Sequence, residues 1–207
     1  MSGVGPPALS RRHLCRTAIG TFVAVPLMVS VPRASRSAPL IIDDFKRDDL
    51  VSALGTSWRG VSDQVMGGIS EAGLHRALVD GRPALRLTGD VRLENNGGFI
   101  QASVNLAKEG EVFDASGYTG IRLTVRGNDE TYGVHLRTSA VRRPWQSYRS
   151  RFMAPSHWTT IDLPFTGFAA HRLDAPFEPS RLRRIGLAAI GRAFYADLAI
   201  SNIQLYR

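Results

Sequence analysis

The sequence of 207 residues contains a single cysteine, Cys15, which lies close to the amino terminus. The rest of the chain therefore has no disulfide bond and no thiol nucleophile, and its hydrophobic core alone must stabilise it. Cys15 also precedes the apolar run at residues 17–31, whereas the cysteine of a lipoprotein would follow such a run. Lipidation at this cysteine is therefore not expected.

Acidic residues are absent before Asp43, and this asymmetry accounts for most of the net charge. The chain has 26 basic and 18 acidic residues, which gives a net charge of +8. Five of the basic residues precede Asp43, namely Arg11, Arg12, Arg16, Arg33 and Arg36. The remainder carries 21 basic and 18 acidic residues, a net charge of +3. Such a mildly basic body does not favour a nucleic-acid partner, and none is predicted.

The first 38 residues have the pattern of a targeting segment. The adjacent Arg11 and Arg12 precede the apolar run, which is too short to cross a bilayer comfortably, and Ala38 follows a candidate cleavage site. This pattern resembles a bacterial twin-arginine (Tat) export signal, and it predicts a periplasmic domain at residues 39–207. A mitochondrial presequence is the alternative, because such segments are also rich in arginine and poor in acids. Peripheral association with a membrane is compatible with either location.

Long amphipathic helical patterns are missing from residues 39–207, which consist of short alternating segments. Clear examples are residues 121–125, 132–136 and 148–152, and turn-forming glycines, asparagines and prolines separate such segments. A phase slip at Ser201 and Asn202 indicates a β-bulge near the end of the chain. Seven or more short strands at this spacing predict an all-β fold, an antiparallel β-sandwich.

Sequence patterns for metal binding and catalysis are also missing. None of the histidines beyond the leader has a partner at ligand spacing; they are His75, His135, His157 and His171. There is no nucleophile elbow and no phosphate-binding loop. The sequence therefore predicts no catalytic residue, no metal and no cofactor, and favours a protein that is not an enzyme.

Arginines and aromatic residues on the predicted strands form the first candidate binding surface. Arg149 and Arg151 share one face of their strand, Arg137 shares a face with His135, and Arg122 shares a face with Arg126. If these faces coincide, they would suit carboxylates, phosphates or an acidic protein. Trp145, Tyr148 and Trp158 could stack on sugars. The competing interpretation is a solvated arginine-rich face with the aromatic residues in the core.

The second candidate is the corner from Trp58 to Ser70. Its candidate residues are Trp58, Asp63, Met66, Gly67, Gly68 and Ser70. Together with Val61, Ser62 and Val65, they resemble the signature of the CIA30 family, the complex I intermediate-associated protein 30 domain. Later blocks continue the resemblance in order across residues 41–207, including a second Gly-Gly pair at residues 97–98. The family usually has Gly-Asp where this chain has Gly127 and Asn128.

The resemblance implies a galactose-binding-like jelly roll, similar to carbohydrate-binding modules. It also implies a chaperone-like assembly factor that binds a protein partner, such as an assembly intermediate of a membrane complex. Binding of a glycan by an exported module is the alternative function, and an enzyme with Asp63 as acid or base is a third. We interpret the corner itself as structural, because glycines and short polar side chains suffice to explain a tight turn.

Overall fold

The domain is a sandwich of two antiparallel sheets. In a computed structural model, residues 1–5 and 38–207 are described, and the predicted export signal lies almost entirely outside them. The first sheet contains β1 (Leu40–Asp43), β3 (Gly73–Val79), β4 (Arg82–Val91), β6 (Gly120–Arg126), β9 (Thr159–Pro164) and β12 (Phe194–Tyr206). The second contains β2 (Arg59–Ser62), β5 (Phe99–Asn105), β7 (Glu130–Thr138), β8 (Ser147–Ala154), β10 (Ala169–His171) and β11 (Leu182–Ile190).

The strand order places β12 and β7 inside their sheets. The first sheet has the order β3-β4-β12-β6-β9, with β1 also paired to β12, and the second has the order β10-β8-β7-β11-β5-β2. Within residues 38–207 the only helical segments are short 3-10 helices, at Asp63–Met66, Glu94–Asn96, Phe165–Gly167 and Pro179–Arg181. The predicted all-β antiparallel sandwich is confirmed.

Alternation along the strands produces the core between the sheets. In β6, Ile121, Leu123 and Val125 are fully buried, while the intervening polar residues face solvent. The sequence of β11 is almost continuously apolar from Ile185 to Ile190. Its inner residues belong to the core, and two residues of its outer face, Gly186 and Ala188, are small and buried. The predicted slip in the last strand is confirmed as a shift of register between Ile200 and Asn202, where β12 pairs with β6.

Candidate functional site

The carboxylate of Asp63 is the centre of the Trp58–Ser70 corner. It is fully buried. Its Oδ1 accepts the backbone N–H of Ser70 at 2.9 Å. Its Oδ2 accepts the hydroxyl of Ser70 at 2.5 Å and the N–H groups of Gly98 and Phe99 at 2.5 and 3.3 Å. One side chain thereby joins the end of β2 to the start of β5.

One glycine of each Gly-Gly pair lies so close to this carboxylate that a side chain would not fit there. A Cβ atom on Gly68 would lie 2.4 Å from Asp63 Cγ, and one on Gly97 would lie 2.5 Å from Asp63 Oδ2. Gly67 serves the turn in another way, because its φ of +89° is in the left-handed region that side chains disfavour. Both Gly-Gly pairs of the sequence signature therefore surround the same buried group.

The surroundings of Asp63 do not suit an acid–base catalyst. Burial by itself raises the pKa of this carboxyl group, but hydrogen bonds from Gly98, Ser70 and Phe99 outweigh burial and leave the pKa below its usual value. A general acid at neutral pH needs the opposite shift. The structure therefore gives no support to the hypothesis that Asp63 is a catalytic acid or base.

The other corner residues are divided between core and surface. Trp58 is buried, and its Nε1 donates to Asp43 Oδ2 at 2.8 Å. Arg76 also donates to this oxygen, at 3.0 Å, so Trp58 anchors the corner to β1 and β3. The side chain of Met66 is exposed. These contacts fit a structural corner in which Met66 is available to a partner.

A second group of candidate residues lies on the outer face of the second sheet. Arg149 is the register partner of His135, and Arg151 is the partner of Gly133, so the outward faces of β7 and β8 coincide. Arg137 pairs in register with Arg184 of β11. We call the outward positions of the six strands of this sheet the basic face. Sequence reasoning missed Arg184, although its strand is recognisable, because the pairing of β11 with β7 cannot be read from the sequence.

The outer face of the first sheet is different, because three of its arginines pair with carboxylates and a fourth, Arg82, lies over the ring of Trp158. Arg86 and Asp197 form a bidentate pair at 2.8 and 2.7 Å, and Arg122 and Asp162 form another at 2.6 Å for both contacts. Arg126 Nε lies 2.7 Å from Asp80 Oδ2, as an ion pair without the geometry of a hydrogen bond. The predicted arginine face is therefore divided: Arg122 and Arg126 belong to the opposite sheet.

The arginines of the basic face have no such partners. Among residues 38–207, no ion pair involves Arg137, Arg149, Arg151 or Arg184. Burial, followed by the neighbouring arginines, lowers the pKa of Arg137 and Arg149 below the usual value for arginine. These groups remain cationic, since arginine is not deprotonated in proteins, and their positive charge is therefore available to a ligand.

A cleft of about 310 Å³ lies over β7 and β8 on the basic face. Its walls include Thr131, Gly133, His135, Arg149, Arg151 and Arg192. His135 is 8% exposed, and burial, aided by Arg149, His171 and Arg151, lowers its pKa to about 3. The ring is therefore neutral at pH 7. A second cleft, of about 230 Å³, is lined by the basic residues Arg137, Arg183, Arg184 and Lys108 and by the acidic residues Glu109 and Glu111, among others.

The two aromatic candidates near the basic face differ in exposure. Trp145 is 51% exposed, and its carbonyl oxygen lies 3.4 Å from Arg149 Nη2, beside the cleft. Tyr148 is 1% exposed, and its hydroxyl donates toward the carbonyl groups of Ala175 and Pro176 at 3.0 and 2.9 Å. Since its ring packs against Phe177 inside the domain, we remove Tyr148 from the candidate ligand contacts.

In the part of the chain that the structure describes, no three histidine, cysteine or acidic side chains converge as a metal site. Over the same residues, no helix has the length and hydropathy needed to cross a membrane.

Solved structures with a similar fold are carbohydrate-binding modules and agarases. The family 11 carbohydrate-binding module of the cellulase Lic26A-Cel5E of Clostridium thermocellum has a TM-score of 0.64 at 13% identity, over 83% of this chain and 96% of that chain. The family 30 module of Cel9D-Cel44B of the same organism has a TM-score of 0.54 at 14% identity, over 82% and 92%. The agarase AgWH50C has a TM-score of 0.55 at 11% identity, over 83% of this chain but 25% of the agarase.

At these identities the similarity shows the fold alone, a galactose-binding-like jelly roll, as the sequence predicted. No curated protein sequence matches the chain at a significant level. The family described as Complex I intermediate-associated protein 30 (CIA30) matches residues 44–200, which include both Gly-Gly pairs and ten of the strands in full. The chain therefore belongs to the CIA30 family.

Proposed function

We propose that this domain is a non-catalytic binding domain of the assembly-factor type, and that it recognises a protein partner through the basic face. The observation that carries the proposal is the contrast between the two sheets. Carboxylates pair with three of the four arginines on the outer face of the first sheet, whereas four arginines of the basic face have no carboxylate partner among the described residues. Unpaired guanidinium groups on a folded surface suit recognition of carboxylates on another molecule.

The composition of the basic face supports a protein partner. Its outward positions hold five arginines, a methionine and a phenylalanine, and no lysine, aspartate or glutamate; the arginines are Arg59, Arg137, Arg149, Arg151 and Arg184. Protein interfaces are enriched in arginine, methionine and aromatic residues, and depleted of lysine and the acidic residues. The outer face of the first sheet, with Asp162 and Asp197 among its arginines, lacks this signature.

The size of the basic face also suits a protein. The six strands contain 40 residues in all, and each residue occupies about 3.3 Å by 4.8 Å of the sheet. The resulting area of roughly 600 Å² is close to one side of a standard protein–protein interface, about 800 Å² per partner. Membership of a family described as complex I intermediate-associated supports a partner under assembly. If the leader directs export, that partner is exposed on the periplasmic side.

Carbohydrate binding is the second candidate function, and two observations favour it. The cleft over β7 and β8 has the volume of a small-molecule site, and the backbone carbonyl of the exposed Trp145 contacts Arg149, which lines that cleft. Several similar structures are carbohydrate-binding modules, and one of them was solved in complex with a β-1,3-1,4-mixed-linked tetrasaccharide. Glycan binding that is lost in Trp145→Ala, without a protein partner, would favour this candidate.

Site-specific crosslinking in the native cells tests the proposed function. A photoreactive residue at Gln101 lies on the basic face, whereas one at Thr124 lies on the outer face of the first sheet and serves as the matched control. We expect a discrete protein adduct from position 101 and none from position 124. Similar adducts from both positions, or no protein adduct from position 101, would contradict the proposal.

Charge variants test whether the arginines make the interaction. The double variant Arg137→Gln, Arg184→Gln removes two charges from the basic face, and Arg122→Gln, Arg126→Gln removes two from the opposite face. An excess of the second variant should compete with adduct formation as well as the wild type does, and the first should not. Loss of competition by both variants would show that binding of the partner depends on the net charge of the domain and not on the arginines of the basic face.

A further inference from the structure

A groove runs along β7 and β11 on the basic face. Its floor is low because the outward residues there are Gly133, Gly186 and Ala188. The side chains that cover this floor lie flat on it: a Cβ on Gly133 would be 3.1 Å from His135 Nε2, and one on Gly186 would be 2.8 Å from Gln101 Cδ. The side chains of His135 and Gln101 therefore form the surface of the groove, at a level lower than that of the flanking arginines, and the floor beneath them is buried.

The ends and walls of the groove differ in chemistry. One end is a row in which Thr131 of β7 is flanked by the apolar residues Met153, Ile190 and Phe99, and Met153 is 62% exposed. Arg151 and Arg149 of β8 line one wall in the middle. Arg137 and Arg184 form the other end, beside the second cleft. The order along β7 is therefore apolar, basic, basic.

The register of the sheet gives the spacing of these features. Arg151 pairs with Gly133, and Arg137 lies four residues further along β7, about 13 Å at the usual rise of a strand. The apolar row lies two residues before Gly133, about 7 Å away. In an extended segment, residues separated by two or four positions point to the same side. An apolar residue followed two and six positions later by acidic residues would match all three features.

We propose that the partner docks such an extended acidic segment in the groove, with the apolar side chain on Met153 and Ile190 and the two carboxylates on the Arg149–Arg151 and Arg137–Arg184 pairs. This inference rests on the proposed function, because it names the chemistry of the partner's contact. Arginine pairs bind carboxylates with two parallel hydrogen bonds, which fixes position as well as charge. The apolar row favours a peptide over an acidic polysaccharide, since a uronate chain has no apolar side chain to place there.

Short peptides test the spacing directly. The probe LSETSTE, flanked by glycine and serine, carries its leucine and glutamates at the required positions. The control LSEETST has the same composition with adjacent glutamates, and LSQTSTQ lacks the charges. We expect fluorescence anisotropy with the full-length protein to show the probe binding at least about tenfold more tightly than either control.

Variants of the protein locate the site. Arg149→Gln and Arg137→Gln should each weaken binding of LSETSTE, whereas Arg122→Gln on the opposite face should not. Gly186→Ala raises the floor of the groove, and its Cβ would meet only the end of the Gln101 side chain. We therefore expect this variant to keep the thermal midpoint of the wild type and to lose the peptide.

The outcomes separate this inference from the proposed function. Equal binding of LSETSTE and LSEETST would refute the proposed spacing of the acidic residues. Tighter binding of an oligogalacturonate than of the probe would show that the ligand is an acidic glycan and not a peptide. If no peptide binds while Gln101 still crosslinks a protein, the acidic segment is wrong and the proposed function stands. If neither peptide binding nor crosslinking occurs, both are wrong.

Discussion

Replacing Asp63 with asparagine should destabilise the domain strongly although the two side chains have the same shape. The carboxylate accepts four hydrogen bonds, one at Oδ1 and three at Oδ2. In either orientation, the amide nitrogen of asparagine would face at least one backbone N–H, so a buried donor would lose its acceptor. The remaining bonds would also lose the contribution of the negative charge.

The magnitude follows from these contacts. A hydrogen bond to a charged group contributes about 1.5–3 kcal/mol, and an unsatisfied buried donor costs about 1–3 kcal/mol. We therefore expect Asp63→Asn to lower the free energy of unfolding by about 3–5 kcal/mol, a large share of the 5–15 kcal/mol typical of a domain. Urea unfolding of both proteins measures this difference in the free energy of unfolding. An unchanged dependence of the free energy on urea concentration would show that both proteins undergo the same transition.

A surface variant and the pH dependence complete the test. Asp162→Asn breaks an exposed pair with Arg122 and should cost less than about 1 kcal/mol. The folded-state pKa of Asp63 lies below its usual value of 3.8, so its stabilisation is present above pH 3.8 and disappears as the pH falls through the folded-state pKa. The difference between wild type and Asp63→Asn should therefore shrink in acid. A loss below about 1 kcal/mol at pH 7, or a difference independent of pH, would refute this reasoning.

Three further predictions concern the same domain. Gly68→Ala would place its Cβ against the Asp63 carboxylate and should cost more than about 3 kcal/mol in urea unfolding. A Cβ on Gly67 would meet no atom within 4 Å, so the φ of +89° is the main obstacle to Gly67→Val; we expect a loss of about 1–2 kcal/mol, with binding by the folded protein unchanged. His135 is depressed to a pKa of about 3, so below pH 6.5 the unfolded chain binds a proton that the folded domain does not, and the free energy of unfolding should fall by about 2 kcal/mol between pH 7 and 5. His135→Gln should remove that fall, and an unchanged pH profile in this variant would contradict the assignment.

The sandwich was predictable because alternation is a local property of each strand. Ile121, Leu123 and Val125 are recognisable as core residues without knowledge of their neighbours. The parity of β8 also shows that Tyr148 and Arg149 point to opposite faces, so alternation alone could have excluded Tyr148 from a site shared with that arginine. The corner was recognisable by its resemblance to a family signature. The buried carboxylate of Asp63 explains two glycines of that pattern, because a side chain on Gly68 or Gly97 would collide with it.

The functional surface was less predictable because it depends on which strands become neighbours. Arg122 and Arg149 lie in similar alternating segments, yet one pairs with an aspartate on the first sheet and the other has no carboxylate partner among the described residues. Arg184 comes to lie beside Arg137 only through the pairing of β11 with β7. Ion pairs between strands depend on the order and register of the strands in the sheet. The periodicity along a single strand therefore cannot predict which arginines have a carboxylate partner.

The pairing of β1 with the end of β12 has a practical consequence. Leu40 lies opposite Leu205, so the first and last strands of the domain meet side by side in the first sheet. The binding surface that we propose belongs to the other sheet. A support or fluorophore coupled beyond Arg207 is therefore attached at the rim of the first sheet and not on the basic face, and immobilised protein should bind its partner as well as protein in solution.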